Sequence, residues 1–255
     1  MYVLRIAGKQ SIDYPEKWLK MVQQLPLSTL RGIQLGLGCQ LVKLDFGNVC
    51  LIALLRDDAR SQNFTTQFTA VLQEWVFHGT RTPPAVMTEN RAELTDLTQN
   101  VLLYTDSDTD TDDVDTTLIM FVMCHQETTL AGECHLVPVD LVVTPSHVYL
   151  AADSVGCCLV AASDRSSKKS PPQKAQFVFK ARHKLLDLTS IDLFKTAPTK
   201  ASLHFVDECS QEETIWCVTM ETKSSLQSLV SSISQPWEQQ FGVELQVNVC
   251  VDSGS

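Results

Sequence analysis

The chain has 255 residues, more than one average domain, so we expect two domains, each large enough for its own core. Hydrophobic residues make up 44% and charged residues 20%, close to ordinary globular usage, which argues against a disordered chain and against a membrane protein. The net charge of -10 disfavours nucleic acid and, over most of the surface, anionic lipid as partners, because both are polyanions.

The nine cysteines are odd in number, and most of them lie in apolar runs typical of strands. No Cys-x-x-Cys pair occurs, so neither a zinc site nor a thioredoxin-type motif has its spacing. Buried free thiols in a reducing compartment are the simplest interpretation. The chain begins without the pattern of a signal peptide, and no apolar run approaches the ~20 residues that cross a bilayer. We therefore expect a cytoplasmic protein whose contact with membranes is peripheral.

In chain order, the first clear signal is a weak internal repeat, which relates residues 25–77 to residues 186–239. Each copy opens with a hexad in which apolar residues alternate with small or polar ones, Leu25–Leu30 in the first copy and Leu186–Ile191 in the second. Such alternation predicts a half-buried strand. The repeat predicts that a structural unit is duplicated.

A hairpin is predicted after each hexad. In the first copy, strands at 41–46 and 49–55 flank the turn dipeptide Gly47-Asn48. In the second copy, strands at 201–206 and 215–220 flank a longer polar loop. Both copies therefore share a strand-strand-strand order.

Each copy then becomes helical, with helices predicted at 61–77 and 224–240. The prolines of Gly79–Pro84 cannot continue the first helix. In both helices apolar residues recur at helical spacing and the series ends in tryptophan. These residues are Phe64, Phe68, Val71, Leu72 and Trp75 in the first copy, and Leu226, Leu229, Val230, Ile233 and Trp237 in the second.

The region between the copies opens with a predicted short helix, Glu93–Asn100, and a predicted strand, Val101–Tyr104. The acidic run 106–115 begins with a pattern similar to the calcium-binding loop of an EF-hand. Thr111 and Thr117 stand where that motif needs glycine and glutamate, so we interpret the run as a solvated loop.

Further apolar runs of strand length follow at 117–124, 139–144, 147–151, 157–161 and 176–186. Together with the second copy they supply enough strands for two packed antiparallel sheets closed by a terminal helix. The first copy has too few residues before its hexad for such a set, so it is incomplete or completed by other strands. We predict an α+β fold with an incomplete unit and linker at 1–98 and a full domain at 99–255.

About seven antiparallel strands capped by an amphipathic helix resemble the pleckstrin-homology (PH) superfold. More closely, the Leu141–Leu150 hairpin, a basic loop, the Leu186–Ile191 strand, a Trp-bearing strand and a terminal helix come in an order that resembles the C-terminal region of nischarin and of the related LKB1-interacting leucine-rich-repeat scaffold. The resemblance covers residues 117–250 strongly and the first copy weakly. It implies a module of a cytosolic adaptor on endosomes or the plasma membrane, involved in cell migration, with integrin cytoplasmic tails, small GTPases such as Rac, or kinases as partners.

Catalytic signatures are missing from the sequence. Gly36-Leu37-Gly38 lacks a third glycine and a following Lys-Ser or Lys-Thr, so it predicts a strand turn and not a nucleotide-binding loop. The pairs Cys124-His125 and Cys134-His135 would each point thiol and imidazole to opposite faces of a strand, which favours structural packing over a metal site. We expect no enzyme activity, no cofactor and no metal.

One segment runs against the net acidity, with seven basic or potentially basic groups within 17 residues: Lys168, Lys169, Lys174, Lys180, Arg182, His183 and Lys184. They form a candidate site for anionic lipid or an acidic partner, the alternative being a solvated loop followed by the exposed face of a strand. Phosphoinositide-binding PH domains carry basic residues in the loop after the first strand. Here that loop is the acidic run 106–115, which counts against lipid binding of that kind.

Two functions therefore compete. The leading one is a protein-interaction scaffold that takes up partner peptides at an exposed strand edge or in the groove beside a terminal helix. The alternative is a peripheral phosphoinositide reader that uses the 168–184 segment. An enzyme with an unrecognised site is the least favoured.

Overall fold

The computed structural model describes residues 2–6, 19–77, 85–87, 98–99, 101, 117–130, 132–152, 177–207 and 210–250. The sequence predictions for 79–84, 102–104, 106–115, 157–161, and Lys168, Lys169 and Lys174 lie outside these residues. The described strands are β1 (Tyr2–Ile6), β2 (Leu19–Gln24), β3 (Gly32–Gly36), β4 (Leu41–Asp45), β5 (Cys50–Leu54), β6 (Ala85–Met87), β7 (Met120–Leu130), β8 (Glu133–Val143), β9 (His147–Ala152), β10 (Phe179–Lys184), β11 (Leu188–Phe194), β12 (Lys200–Val206), β13 (Glu213–Thr219) and β14 (Gln246–Cys250). The two long helices are α1 (Asp58–Phe77) and α2 (Lys223–Phe241).

The C-terminal domain is one sheet in the strand order β10-β9-β8-β7-β13-β12-β11-β14. Neighbouring strands are antiparallel except β11 and β14, which are parallel. Only two residue pairs join β7 to β13, so the sheet divides there into a first half, β7–β10, and a second half, β11–β14. Buried side chains of both halves meet α2 in a shared core. Antiparallel sheets closed by a C-terminal helix confirm the predicted PH-like fold.

Helix α2 has a defined signal at each end. Thr222 is the N-cap, and its Oγ1 accepts a 3.1 Å hydrogen bond from the Ser225 backbone N–H. At the other end Gly242 takes the left-handed conformation, with φ of 69°, that glycine adopts at low cost. Between the caps, Leu226, Leu229 and Ile233 lie in the core at three- and four-residue spacing, as predicted.

The first copy is a four-stranded sheet in the order β5-β4-β3-β6, covered on one face by α1. Strands β3, β4 and β5 are antiparallel neighbours, and β6 returns after the helix to pair with β3 in parallel. Strands β1 and β2 form a separate antiparallel pair. The core under α1 contains Leu25, Leu30, Ile33, Val42, Leu44, Phe46 and Leu72.

The two copies share one topology, which supports the predicted duplication. The order β13-β12-β11-β14 with α2 repeats the order β5-β4-β3-β6 with α1, and each copy ends in a short strand parallel to its first. The predicted hairpins and helices are confirmed. The closing parallel strands β6 and β14 were not predicted.

The first hexad was predicted wrongly as a strand. Leu27–Thr29 form a 3-10 turn, and β3 begins only at Gly32. The turn is closed by Pro26, whose carbonyl accepts hydrogen bonds from both the backbone N–H and the hydroxyl of Thr29. Leu25 and Leu30 are buried on either side of it, which produced the misleading alternation. Val101 was also predicted as a strand but is helical, as are residues 98 and 99.

The C-terminal domain covers the open face of the first copy, but among the described strands none of β7–β14 joins its four-stranded sheet, so the sheet of the first copy is incomplete. The face of its sheet that α1 leaves open packs on the outer face of β7–β9, so these strands are buried on both sides. We call this contact the inter-copy interface. Its apolar residues include Leu37, Leu41, Ile52 and Leu54 of the first copy, and Phe121, Met123, Val142, Tyr149 and Ala151 of the C-terminal domain.

Gln40 stabilises the inter-copy interface through hydrogen bonds to the backbone of β7, such as a neighbouring strand would make. Its side-chain amide donates to the carbonyl of Phe121 and accepts from the N–H of Met123, both at 2.7 Å, so it occupies β7 backbone groups as a peptide unit would. The turn that presents it has Leu37, Gly38 and Cys39 at φ of 48°, 63° and 62°. This confirms the predicted turn at Gly36-Leu37-Gly38 and directs Leu37 into the interface.

Asp57 stabilises the same interface at the N-terminal ends of α1 and α2. Its Oδ1 accepts from the Arg60 N–H at 2.7 Å, which caps α1. Its Oδ2 accepts from the hydroxyls of Thr222 and Ser225 at 2.5 and 2.6 Å, at the start of α2. One buried carboxylate therefore joins the equivalent ends of the two helices, and an Arg60–Glu221 ion pair at 3.2 Å lies beside it.

Candidate functional site

A concave cleft of about 610 Å³ lies between α2 and the β11–β14 end of the sheet. We call it the helix groove. Its volume falls within the range of about 300 to 1,000 Å³ usual for binding pockets. The apolar lining consists of Leu193, Phe194, Pro198, Leu226, Val230 and Val249, and the polar lining of Lys195, Lys200, Lys223, Gln227 and Ser231.

The spacing of α2 brings one helix face to the groove. Residues 223, 226, 227, 230 and 231 recur at three- and four-residue intervals, so they lie above one another on the same side of the helix. Opposite them, the end of β11 contributes Leu193 and Phe194, and β14 contributes Val249. Val249 is 59% exposed, so apolar surface remains open to a partner there.

Three lysines line the groove together with these apolar residues. Lys200 Nζ lies 2.7 Å from Glu127 Oε2 and 5.2 Å from the centroid of the Phe194 ring. The hydrogen bond to Glu127 raises the pKa of Lys200 above its ordinary value, so its charge is secure. Lys195 and Lys223 are exposed. None of the described residues that line the groove is acidic, so its potential is opposite to that of the chain as a whole.

The described part of the predicted basic segment lies elsewhere, on β10 at the opposite end of the sheet from the groove. Lys180 and Lys184 are exposed there, and Arg182 is half-buried. His183 instead stacks on Phe205 with ring centroids 4.4 Å apart. Burial lowers the pKa of His183, which favours its neutral form at pH 7.

The groove lysines were missed by sequence analysis because 28 positions separate Lys195 from Lys223, and no local run marks them. Only the general expectation of a groove beside the terminal helix points to this place. Their convergence depends on the return of β14 to β11, which was not predicted.

The Cys-His pairs do not form a metal site in the part of the chain that the structure describes. Cys124 is buried in the C-terminal core, where desolvation raises the pKa of its thiol. Cys134 is exposed and pairs in register with Thr129, well along β7 from Cys124. Among the described helices, none has the length and apolar character needed to cross a membrane.

Two known proteins are similar to nearly the whole of this chain. The serine/threonine-protein kinase 11-interacting proteins of Homo sapiens and Mus musculus are 29% and 26% identical to it over 96% of its length. The chain covers only 22% and 23% of those relatives, about a fifth. These matches support the kinase-interacting scaffold among the predicted resemblances, while nischarin stays a prediction.

Among solved structures, the hSac2 domain from human phosphoinositide phosphatase Sac2 matches this chain over 60% of its length and 88% of its own, at 13% identity and a TM-score of 0.38. The DH/PH domains of p115-RhoGEF cover 56% of this chain and 39% of their own, at 14% identity and a TM-score of 0.35. With TM-scores this low, neither structure supports a conclusion about this chain. The family model described as STK11-interacting protein, C-terminal PH domain, matches residues 101–250, more than half of the chain. The chain therefore belongs to the family of C-terminal PH domains of STK11-interacting protein.

Proposed function

We propose that this chain is a non-catalytic protein-interaction module of a signalling scaffold, and that the helix groove is its docking site for a partner protein. The groove carries the proposal because it joins an open apolar floor to a charged rim, the arrangement typical of protein interfaces. Family membership supports it, since the curated relatives are named for their interaction with a kinase. A module of this kind needs no bound cofactor.

The partners we propose come from the name of these relatives and from the resemblance predicted from the sequence. A serine/threonine kinase comes first, because their name states that interaction. Integrin cytoplasmic tails and small GTPases such as Rac are further candidates, and a cytoplasmic location with peripheral attachment to endosomes or the plasma membrane suits all of them. We also propose the division into a unit at 1–98 and a PH-like domain at 99–255.

Groove docking would draw on two sources of affinity. Apolar side chains of the partner would cover Phe194, Val230 and Val249, and removing that surface from water is favourable by about 25 cal/mol per Å². The lysines would orient the partner and speed its association.

Val249→Glu tests the proposal by placing a charge on the groove floor. Binding of purified serine/threonine-protein kinase 11 to the whole chain, measured by calorimetry, should weaken by about tenfold or more, because a charge must then be buried against apolar surface. Val243→Glu is the matched control, since Val243 is also 59% exposed but does not line the groove. Equal binding by the two variants would exclude the groove as the kinase site, and integrin-tail and GTPase baits would then be tested in the same way.

Phosphoinositide binding through the 168–184 segment is the second candidate. The observation that favours it is the exposure of Lys180 and Lys184 on β10. In liposome flotation with single phosphoinositides, the double variant Lys180→Glu/Lys184→Glu should reduce salt-sensitive binding and leave kinase binding unchanged. Flotation equal to that of the wild type would reject this function for the β10 residues.

A further inference from the structure

We infer that the helix groove selects an acidic segment with apolar anchors, an inference that rests on the proposed function and names its partner's chemistry. Lys195, Lys200 and Lys223 line the groove together with its apolar residues, and Lys195 and Lys223 have no carboxylate partner among the described residues, in a chain of net charge -10. Local positive charge attracts carboxylates, and the floor accepts the apolar residues between them.

The charges are not equally available. Glu127 largely neutralises Lys200 and holds its ammonium group in place above Phe194. Lys195 and Lys223 are solvent-exposed, and neither forms an ion pair with a carboxylate among the described residues. These two lysines therefore carry the selectivity, and Lys200 serves mainly as part of the wall.

The shape of the site favours a peptide over a membrane. The apolar residues line a concave cleft, whereas a bilayer presents a broad and nearly flat anionic surface. Such a surface would face the repulsion of the whole acidic molecule. A short segment meets only the local field of the groove. About 610 Å³ accommodates a few side chains, so the recognised segment is short.

The test is fluorescence anisotropy of the whole chain with two labelled 12-residue peptides. Both carry Leu or Phe at every third or fourth position, one has Asp and Glu elsewhere, and the other has Lys in their place. The wild type should bind the acidic peptide more tightly, and binding should weaken as salt rises. The double variant Lys195→Glu/Lys223→Glu should lose about tenfold in affinity for the acidic peptide and gain preference for the basic one.

Controls separate this inference from the proposed function. Lys195→Arg/Lys223→Arg should retain acidic-peptide binding, and Lys180→Glu/Lys184→Glu should match the wild type because those lysines do not line the groove. If Val249→Glu weakens kinase binding but lysine reversal changes no peptide preference, the acidic partner is excluded while groove docking stands. If anionic vesicles bind and only the Lys195→Glu/Lys223→Glu variant loses them, the groove is a lipid site and the inference is overturned.

Discussion

A single residue, Asp57, contributes hydrogen bonds that hold the two copies together. It is 2% exposed, and burial by itself raises the pKa of a carboxyl group. Hydrogen bonds from Ser225, Thr222 and the Arg60 backbone outweigh that effect, so the pKa of Asp57 lies below its ordinary value of 3.8. The ionised form is thus stabilised in the folded chain.

Asp57→Asn should lower the free energy of unfolding at pH 7 by about 1 to 3 kcal/mol, because it removes charge-assisted hydrogen bonds from a buried site. The folded pKa is depressed, so the contribution of the carboxylate is complete above the unfolded pKa near 3.8 and is lost as pH falls through the lower folded value. Urea unfolding at several pH values should therefore show a constant difference from pH 7 to about 5 and a shrinking difference below about 4.

The neighbouring Asp58→Asn is the control, because Asp58 is exposed in the first turn of α1. It should change the free energy of unfolding by only a few tenths of a kcal/mol. An effect of Asp57→Asn no larger than that of Asp58→Asn, or one that stays constant down to pH 3, would contradict the role assigned to the carboxylate.

At the scale of elements, sequence periodicity predicted those parts of the fold that local patterns determine. The helices and hairpins carry their own spacing and turn residues, so their places were read correctly. Strand β6 has three residues and β14 has five, and each is defined by pairing with a strand far away in the chain. No local pattern encodes that pairing. The helix groove depends on β14, so its lysines could not be assembled from sequence.

The sequence of β7–β9 has a pattern typical of strands that are buried on both faces. Phe121, Met123 and Tyr149 face the inter-copy interface, while Val122 and Leu150 face the C-terminal core. Apolar residues therefore occupy both parities, which is typical of a strand buried on two sides. Of the two predicted alternatives, an incomplete first copy agrees with the described strands, because the C-terminal domain covers the face of its sheet without adding a strand to it. The sequence does not say which surfaces meet.

Leu245→Ala tests how β14 is held against the sheet. Leu245 is 6% exposed and packs into the C-terminal core just before β14, whose own side chains are mostly exposed. The variant should lower the free energy of unfolding by about 2 to 5 kcal/mol. It should increase the rate of hydrogen exchange more at the 246–250 amides than at the amides of β12. It should also weaken acidic-peptide binding, because β14 supplies Val249 to the apolar floor of the groove.

Val247→Ala is the control for that experiment, because Val247 lies on β14 but is 38% exposed. Its effect on stability should stay below about 1 kcal/mol. If Leu245→Ala and Val247→Ala accelerate exchange equally, or if neither changes the 246–250 amides, then Leu245 does not anchor the strand.

At the scale of the whole molecule, β7–β9 serve two cores at once. Their inner face closes the C-terminal domain under α2, and their outer face closes the first copy on the side that α1 leaves open. Gln40 and Asp57 add buried polar contacts that match only this arrangement. The duplicated half therefore shares part of its core with its neighbour, and we expect the two predicted domains to unfold as one unit.

The whole chain should accordingly unfold in a single transition. Leu41→Ala deletes buried atoms from the first-copy side of the inter-copy interface, where Leu41 is fully buried. It should lower the free energy of unfolding by about 2 to 5 kcal/mol and reduce the protection of amides in α2 by the same amount, because opening one core exposes the other. Two resolved calorimetric transitions, with α2 protection unchanged in Leu41→Ala, would instead mean that the first copy unfolds independently and that the inter-copy interface couples nothing. In a coupled chain, residues of the first copy are required for the groove beside α2 to keep its shape, so Leu41→Ala should also weaken binding there.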